Sequence, residues 1–361
     1  MSFSLTLSDE VAVQRQNLRQ QILNVNTSNF ESLALAVFRY QAMYNPVYHN
    51  YLRYLSVQPE QVTTIRRIPF MPIGFFKKHT ILTGASADDI RLSDTLTFAS
   101  SGTTGEQTSR HYVPDATLYD AVSTRIFEQT YGSLQHFHIL ALLPSYLERN
   151  NSSLVYMVQR FMAHTNSDYS GFYLNNYDEL TDRLQQLTKR SASTDGQEER
   201  ILLIGVTFGL LDWAESERDL SFLADAPNLI VMETGGMKGR RKELLREEVH
   251  EILISRLGVG SVHSEYGMTE LLSQAYSMGS GVFHPSPTLR VLLRDINDPF
   301  LLYPDDYPRT GGINVIDLAN LDSCSFIETQ DLGQYIGTEG NFGVIGRFDN
   351  SDVRGCNLMV L

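Results

Sequence analysis

Thr97-Phe-Ala-Ser-Ser-Gly-Thr-Thr-Gly105 is an apolar strand end that runs into small, hydroxyl-bearing and glycine residues. Glycines let a backbone approach a phosphate closely, and Ser and Thr add hydroxyl donors to the main-chain N–H groups. The loop suits a polyphosphate; taken alone, it also reads as a plain Gly/Ser turn. It is not the phosphate loop of kinases and GTPases, which ends in Gly-Lys-Ser/Thr, because Glu106 follows Gly105.

Downstream of this loop, short apolar runs alternate with helical patterns. The runs 139–143, 201–206, 229–232 and 261–263 read as strands, and 118–130 and 241–253 as helices, which predicts an α/β sheet. Near the end, 311–318 and 343–347 read as strands around a turn-rich stretch, 329–333. Upstream, Phe30, Leu33, Val37, Phe38 and Met43 recur at helical spacing, with Ser28 or Asn29 as the cap. Two prolines in Ile68-Pro-Phe-Met-Pro-Ile-Gly74 break helix and lead to Lys77 and Lys78. The polar stretch 190–200 reads as an exposed loop. The aromatic-rich segments 161–173 and 206–213 read as core or as the wall of an acyl or aryl pocket.

Four further stretches carry chemistry. Leu229-Ile-Val-Met-Glu-Thr-Gly-Gly-Met-Lys-Gly239 is a strand, a Gly-Gly turn and then a helix, a junction whose free N–H groups can meet a nucleotide or a carboxylate. Lys238 adds positive charge there; a structural turn is the plainer reading. In His263-Ser-Glu-Tyr-Gly-Met-Thr-Glu270, Tyr266 can stack on a purine, the Thr269 hydroxyl can bond a phosphate and Glu270 can hold Mg²⁺. Glu270 also suits the start of a helix, and His263 suits the core. Asp331 in Phe326-Ile-Glu-Thr-Gln-Asp-Leu-Gly333 and Arg347 in Val344-Ile-Gly-Arg-Phe-Asp349 can fix ribose hydroxyls or stand as surface charges.

The formal charge of −13 opposes binding to a nucleic-acid backbone or an anionic membrane. No stretch is long and apolar enough to span a bilayer, and the start lacks a basic region before an apolar run. A cytoplasmic location is expected. Cys324 and Cys356 are the only cysteines, too few for a disulfide framework or a cysteine metal site.

In this order, the stretches resemble the adenylate-forming superfamily of acyl-CoA synthetases, adenylation domains and luciferases. Within it, the Pro-Phe-x-Pro-x-x-Phe-Phe-Lys character of 68–78, Ile316-Asp-Leu-Ala-Asn320 and Val353-Arg-Gly-Cys-Asn-Leu358 resemble the acyl-protein synthetases of bacterial luminescence (LuxE-type), with phenylacetate–CoA ligases next. The resemblance implies the large N-terminal domain of such enzymes, with 1–94 a helical region, 95–345 the α/β core and 346–361 a truncated tail. The usual small C-terminal domain would be absent or nearly so.

It also implies ATP with Mg²⁺, and a nucleotide site of Ser100, Ser101, Gly102, Thr103, Thr104, Gly105, Gly235, Gly236, Met237, Tyr266, Gly267, Met268, Thr269, Asp331 and Arg347, with Glu270 on the metal. A carboxylic acid, by the closer resemblance a fatty acid, would become acyl-AMP and pass to Cys356 as a thioester, then to a reductase. Lys238 stands first as the catalytic cation, with Arg347 and Arg110 behind it, and Thr269 serves the phosphate. The alternatives are transfer to CoA or a carrier protein, and a non-catalytic nucleotide-binding partner of a reductase.

Overall fold

The computed structural model describes residues 9–84, 95–100, 108–143, 151–191, 199–237, 241–242, 244–337 and 339–348. Three helices open the chain: α1 (Asp9–Leu23), α2 (Phe30–Tyr44) and α3 (Pro46–Tyr54). In α2, Phe30, Leu33, Val37 and Phe38 are buried as their spacing predicts, whereas Met43 is 70% exposed. Asn29 stands at the cap position without capping; its Oδ1 accepts instead from the Asn26 N–H at 2.8 Å. Asn45 does cap α3, accepting from the Tyr48 N–H, with Pro46 in the first turn where its missing donor costs nothing.

The double-proline crossing forms β1 (Met71–Pro72) and the short helix α4 (Phe75–Lys78). The two arms β2 (Leu96–Ala99) and β3 (Arg110–Val113) then pair antiparallel. The central region alternates as expected: α5 (Ala116–Tyr131), β4 (Phe137–Leu142), α6 (Ser153–His164), β5 (Gly171–Phe172), α7 (Tyr177–Ser191), β6 (Arg200–Val206), α8 (Thr207–Ala214), β7 (Leu229–Thr234), α9 (Arg246–Leu257), β8 (His263–Tyr266) and β9 (Ala275–Ser277). Its strands form one sheet in the order β5-β4-β6-β7-β8-β9, parallel except for β9. Strands β4, β6 and β7 read as near-continuous apolar runs because helices cover such a parallel sheet.

A second sheet holds β10 (Leu289–Arg294), β11 (Gly311–Asp317), β12 (Phe326–Tyr335) and β13 (Phe342–Arg347), in the order β1-β12-β11-β10 with β13 also on β12. The stretch 329–333, read as turn-rich, lies inside the ten-residue β12. Its polar residues stay in the ladder because they find partners there: the Thr329 hydroxyl donates to the Ile313 carbonyl at 2.7 Å. The strand expected at 261–263 is shifted to His263–Tyr266, and the helix expected from 241 begins at Arg246. That shift puts Glu248 in the first turn, where its carboxylate accepts from the Leu245 N–H at 2.8 Å. Helix α7 continues to Ser191, inside the stretch read as a loop, and 192–198 lie outside the described residues. Phe161, Leu210, Leu211 and Trp213 are core; the Trp213 indole N–H reaches the Thr181 hydroxyl.

Candidate active site

The site forms where the C-terminal ends of β7 and β8 approach the β12–β13 ladder, beside the open end of β2–β3. Ala99 pairs with Arg110, and beyond that pair the Ser100 N–H donates to the Ser109 carbonyl at 3.2 Å while the Ser109 N–H donates to Ser100 Oγ at 3.0 Å. The Ser/Thr/Gly loop therefore leaves and returns through a closed neck. Ser101, Gly102, Thr103, Thr104 and Gly105 lie outside the described residues.

Alternation along β3 sends Ser109 and His111 to one face. Ser109 hydrogen-bonds the buried Glu270 carboxylate. His111 Nδ1 lies 2.9 Å from the Thr269 carbonyl oxygen, which can only accept, so Nδ1 carries the proton and Nε2 accepts from the Ser323 hydroxyl at 3.0 Å. Burial pushes the His111 pKa down to about 4, so the ring is neutral at pH 7. Burial likewise raises the Glu270 pKa, against the Ser109 hydrogen bond and the positive charge of Arg347.

Tyr266 closes β8, with Phe283 and Phe342 against its ring at centroid distances of 5.8 and 5.5 Å. Its hydroxyl donates to Asp331 Oδ2 at 3.0 Å, and Arg347 Nε donates to Asp331 Oδ1 at 2.8 Å across the β12–β13 pair that joins the two residues. The Asp331 carboxylate is buried, while the Arg347 side chain is 72% exposed, so the guanidinium faces an opening. Ser100, Tyr266, Thr269, Glu270, Asp331 and Arg347 thus meet in one region. A Cβ on Gly267 would meet Glu265 Oε1, so any larger residue there would have to displace that buried carboxylate. Gly235 turns the chain after β7 with φ +76°, a left-handed conformation that suits glycine, and Gly236 leaves open space. Met237 is in the core, Met268 packs at its edge, and Lys238 and Cys356 lie outside the described residues.

Residues 21–361 match the family model described as acyl-protein synthetase, LuxE. The chain belongs to the LuxE acyl-protein synthetase family. Membership makes it an ATP-dependent, acyl-adenylate-forming enzyme. Two solved structures of 2-hydroxyisobutyryl-CoA ligase share its fold. One, in the postadenylation state with R3-HIB-AMP, is 12% identical with a TM-score of 0.59, over 91% of this chain and 70% of that one. The other, with 2-HIB-AMP and CoA in the thioesterification state, is also 12% identical, with a TM-score of 0.58 over 94% and 69%. No curated protein matches the chain.

Behind the site, this LuxE-family chain carries a brace that its local sequence patterns do not reveal. Fully buried Asp317 accepts from the Leu272 N–H (2.7 Å), the Ser273 N–H (3.0 Å), the Ser273 hydroxyl (2.6 Å) and the Ala319 N–H (3.0 Å). Asn320 donates to the Glu270 carbonyl at 2.8 Å. From the opposite side Gln41 donates to the carbonyls of Asn320 and Leu321 and accepts from the Ser325 N–H. Arg15 grips Asp322 with two 2.6 Å bonds and reaches Asp115 at 3.0 Å. The stretch carrying Ile316-Asp-Leu-Ala-Asn320 therefore locks the helical N-terminal region to the segment bearing Thr269 and Glu270. Under the Gly-Gly turn, buried Glu233 accepts from Thr207 at 2.8 Å and Arg246 at 3.1 Å; His250 foremost, then the Arg246 charge, Ser264 and Thr207 hold its pKa down against burial. Glu265, buried beside it and bonded by Thr234, has its pKa pushed up to about 7 by burial. Among the described residues no group of three His, Cys, Asp or Glu forms a ready metal cage, and no helix is long and apolar enough to cross a membrane.

Proposed function

We propose that the chain converts a fatty acid and ATP to acyl-AMP and holds the acyl group as a thioester on Cys356 for delivery to a reductase. The observation that carries this reading is the convergence of Tyr266, Asp331, Arg347 and Glu270 at the neck of the Ser100–Ser109 loop. In this reading the loop residues Ser100–Gly105 and the turn Gly235–Met237 hold the phosphates and the base edge of ATP. Tyr266 and Gly267 flank adenine, while Asp331 and Arg347 exchange their mutual bond for the ribose hydroxyls. Mg²⁺ suits a lone buried carboxylate such as Glu270, because that ion binds through one or two carboxylates and fills its shell with phosphates and water, and when bound it would neutralise charge on the phosphates.

The substrate carboxylate oxygen bonds the α-phosphorus as the bond to the β-phosphate oxygen breaks and pyrophosphate leaves. Thr269, Lys238 and Arg347 would stabilise the charge that builds on the phosphate oxygens. A thiolate then attacks the acyl carbon, and AMP leaves with the electron pair of the broken C–O bond. Cys324 is a poor acceptor: it is fully buried, its Sγ donates to the Phe326 carbonyl, and burial pushes its pKa up to about 12. That leaves Cys356 as the acceptor within the chain, with Arg354 two residues away favouring its thiolate. CoA or a carrier-protein thiol is the external alternative.

Acid-dependent exchange of pyrophosphate into ATP over fatty and aromatic acids tests the first step; no exchange with any acid refutes it. Cys356→Ala is expected to keep exchange and lose covalently acylated protein. Acylated protein that persists in that variant removes Cys356 as the acceptor.

A further inference from the structure

Lys77 and Lys78 end α4, and Arg110 lies on β3, on the strand face opposite Ser109 and His111. Between them is a cleft of about 480 Å³ that also exposes Thr108, over a floor of Phe76 and Tyr112. That volume falls within the roughly 300–1,000 Å³ of small-molecule sites. Lys78 and Arg110 are exposed, Lys77 is half-buried and Phe76 is core, so flexible charged heads stand on a fixed base. Among the described residues no carboxylate lies within ion-pairing distance of any of the three. In a chain with a net charge of −13, three cations without a carboxylate partner among the described residues, gathered in one cleft, are held against the overall composition, and they attract a multiply charged anion.

We propose that this cleft is a diphosphate-binding site, separate from the nucleotide face and one strand away from it. The chemistry favours that class of ligand. Arg110 offers a planar fork that matches a phosphate, the two lysines supply mobile point charges, and Thr108 adds a hydroxyl donor. Inward-facing Ser109 and His111 touch Glu270 and Thr269, whereas Thr108, Arg110 and Tyr112 line the cleft, so β3 separates the two sites. Thr108 adjoins the Ser100–Ser109 neck, which places the cleft at the root of the phosphate loop. Resting on the activity proposed above, the ligand is either the pyrophosphate released from ATP or the diphosphate bridge of an incoming CoA.

The full chain titrated calorimetrically with pyrophosphate, and separately with CoA, distinguishes the two sources. A Lys78→Glu/Arg110→Glu double variant is expected to weaken one of them by about tenfold or more, with the effect shrinking as salt rises. Lys78→Ala provides a milder second variant, and Lys189→Glu on α7 a charge-change control that should bind normally. Thermal melting establishes that each variant is folded. Weakening of pyrophosphate assigns the cleft to the leaving group of ATP, and weakening of CoA assigns it to the thiol substrate. Unchanged binding of both in folded variants overturns the proposal, whereas acid-dependent exchange by the wild-type protein reports on the activity itself, independently of this cleft.

Discussion

Replacing Asp317 with alanine would remove one carboxylate and leave three main-chain N–H groups, those of Leu272, Ser273 and Ala319, buried without an acceptor. The Ser273 hydroxyl would be less affected, since it keeps Thr288 at 2.7 Å. An orphaned buried donor costs about 1–3 kcal/mol, so three give roughly 3–9 kcal/mol. Water entering the vacated space recovers part of this, and we expect a loss of about 3–6 kcal/mol by urea unfolding with little change in slope. Set against a typical total stability of about 5–15 kcal/mol, that leaves little margin. Asp317→Asn keeps the shape and one acceptor oxygen but turns an amide NH₂ toward the remaining donors, and should lose less. The functional effect follows from spacing, because Leu272 and Ser273 stand two and three residues after Glu270. Whatever fraction of Asp317→Ala remains folded should need more ATP to reach half its exchange rate. A variant whose stability stays within about 1 kcal/mol of wild type would show that the four bonds do not brace this segment, and the argument built on them would fail.

Two further outcomes follow from the site. His111 has a folded pKa of about 4 against an ordinary 6.5, so below pH 6.5 the unfolded chain binds a proton that the folded chain refuses; stability should fall as pH drops from 6.5 toward 4, by up to roughly 3 kcal/mol. Glu265, raised from 4.5 to about 7, has the opposite slope over an overlapping window, so the signal is the difference between wild type and His111→Asn across that range; parallel curves would refute the burial argument. Tyr266→Phe keeps the ring between Phe283 and Phe342 but removes the hydroxyl that donates to Asp331, and should lower stability by about 1–2 kcal/mol in urea. Tyr266→Leu should cost more, and equal stabilities for the two variants would mean that the ring contributes no packing.

The sequence made some parts of this protein easy to read for the same physical reasons that hid others. Strands β4, β6 and β7 are buried on both faces, so apolar character alone marks them, and glycine-rich turns announce themselves because few other residues tolerate them. Strand β12 defeats that logic. Its stretch 329–333 reads as turn-rich, yet Thr329 and Asp331 are buried, each satisfied by a partner on another strand. The brace is more remote still: Gln41 meets Asn320 across 279 residues, and Arg15 meets Asp322 across 307. Periodicity and spacing report local geometry and say nothing about which distant carbonyl a buried amide will reach. Tyr266, Glu270, Asp331 and Arg347 drew notice because an aromatic ring, two carboxylates and an arginine beside glycine turns match the contacts that a nucleotide and its metal need. Asp317, just as polar and more deeply buried, drew notice only by resemblance, because no local pattern distinguishes a carboxylate that holds a loop from one that faces solvent. Residues that break the pattern therefore mark where chemistry or bracing is concentrated, and only the hydrogen-bond partners tell the two apart.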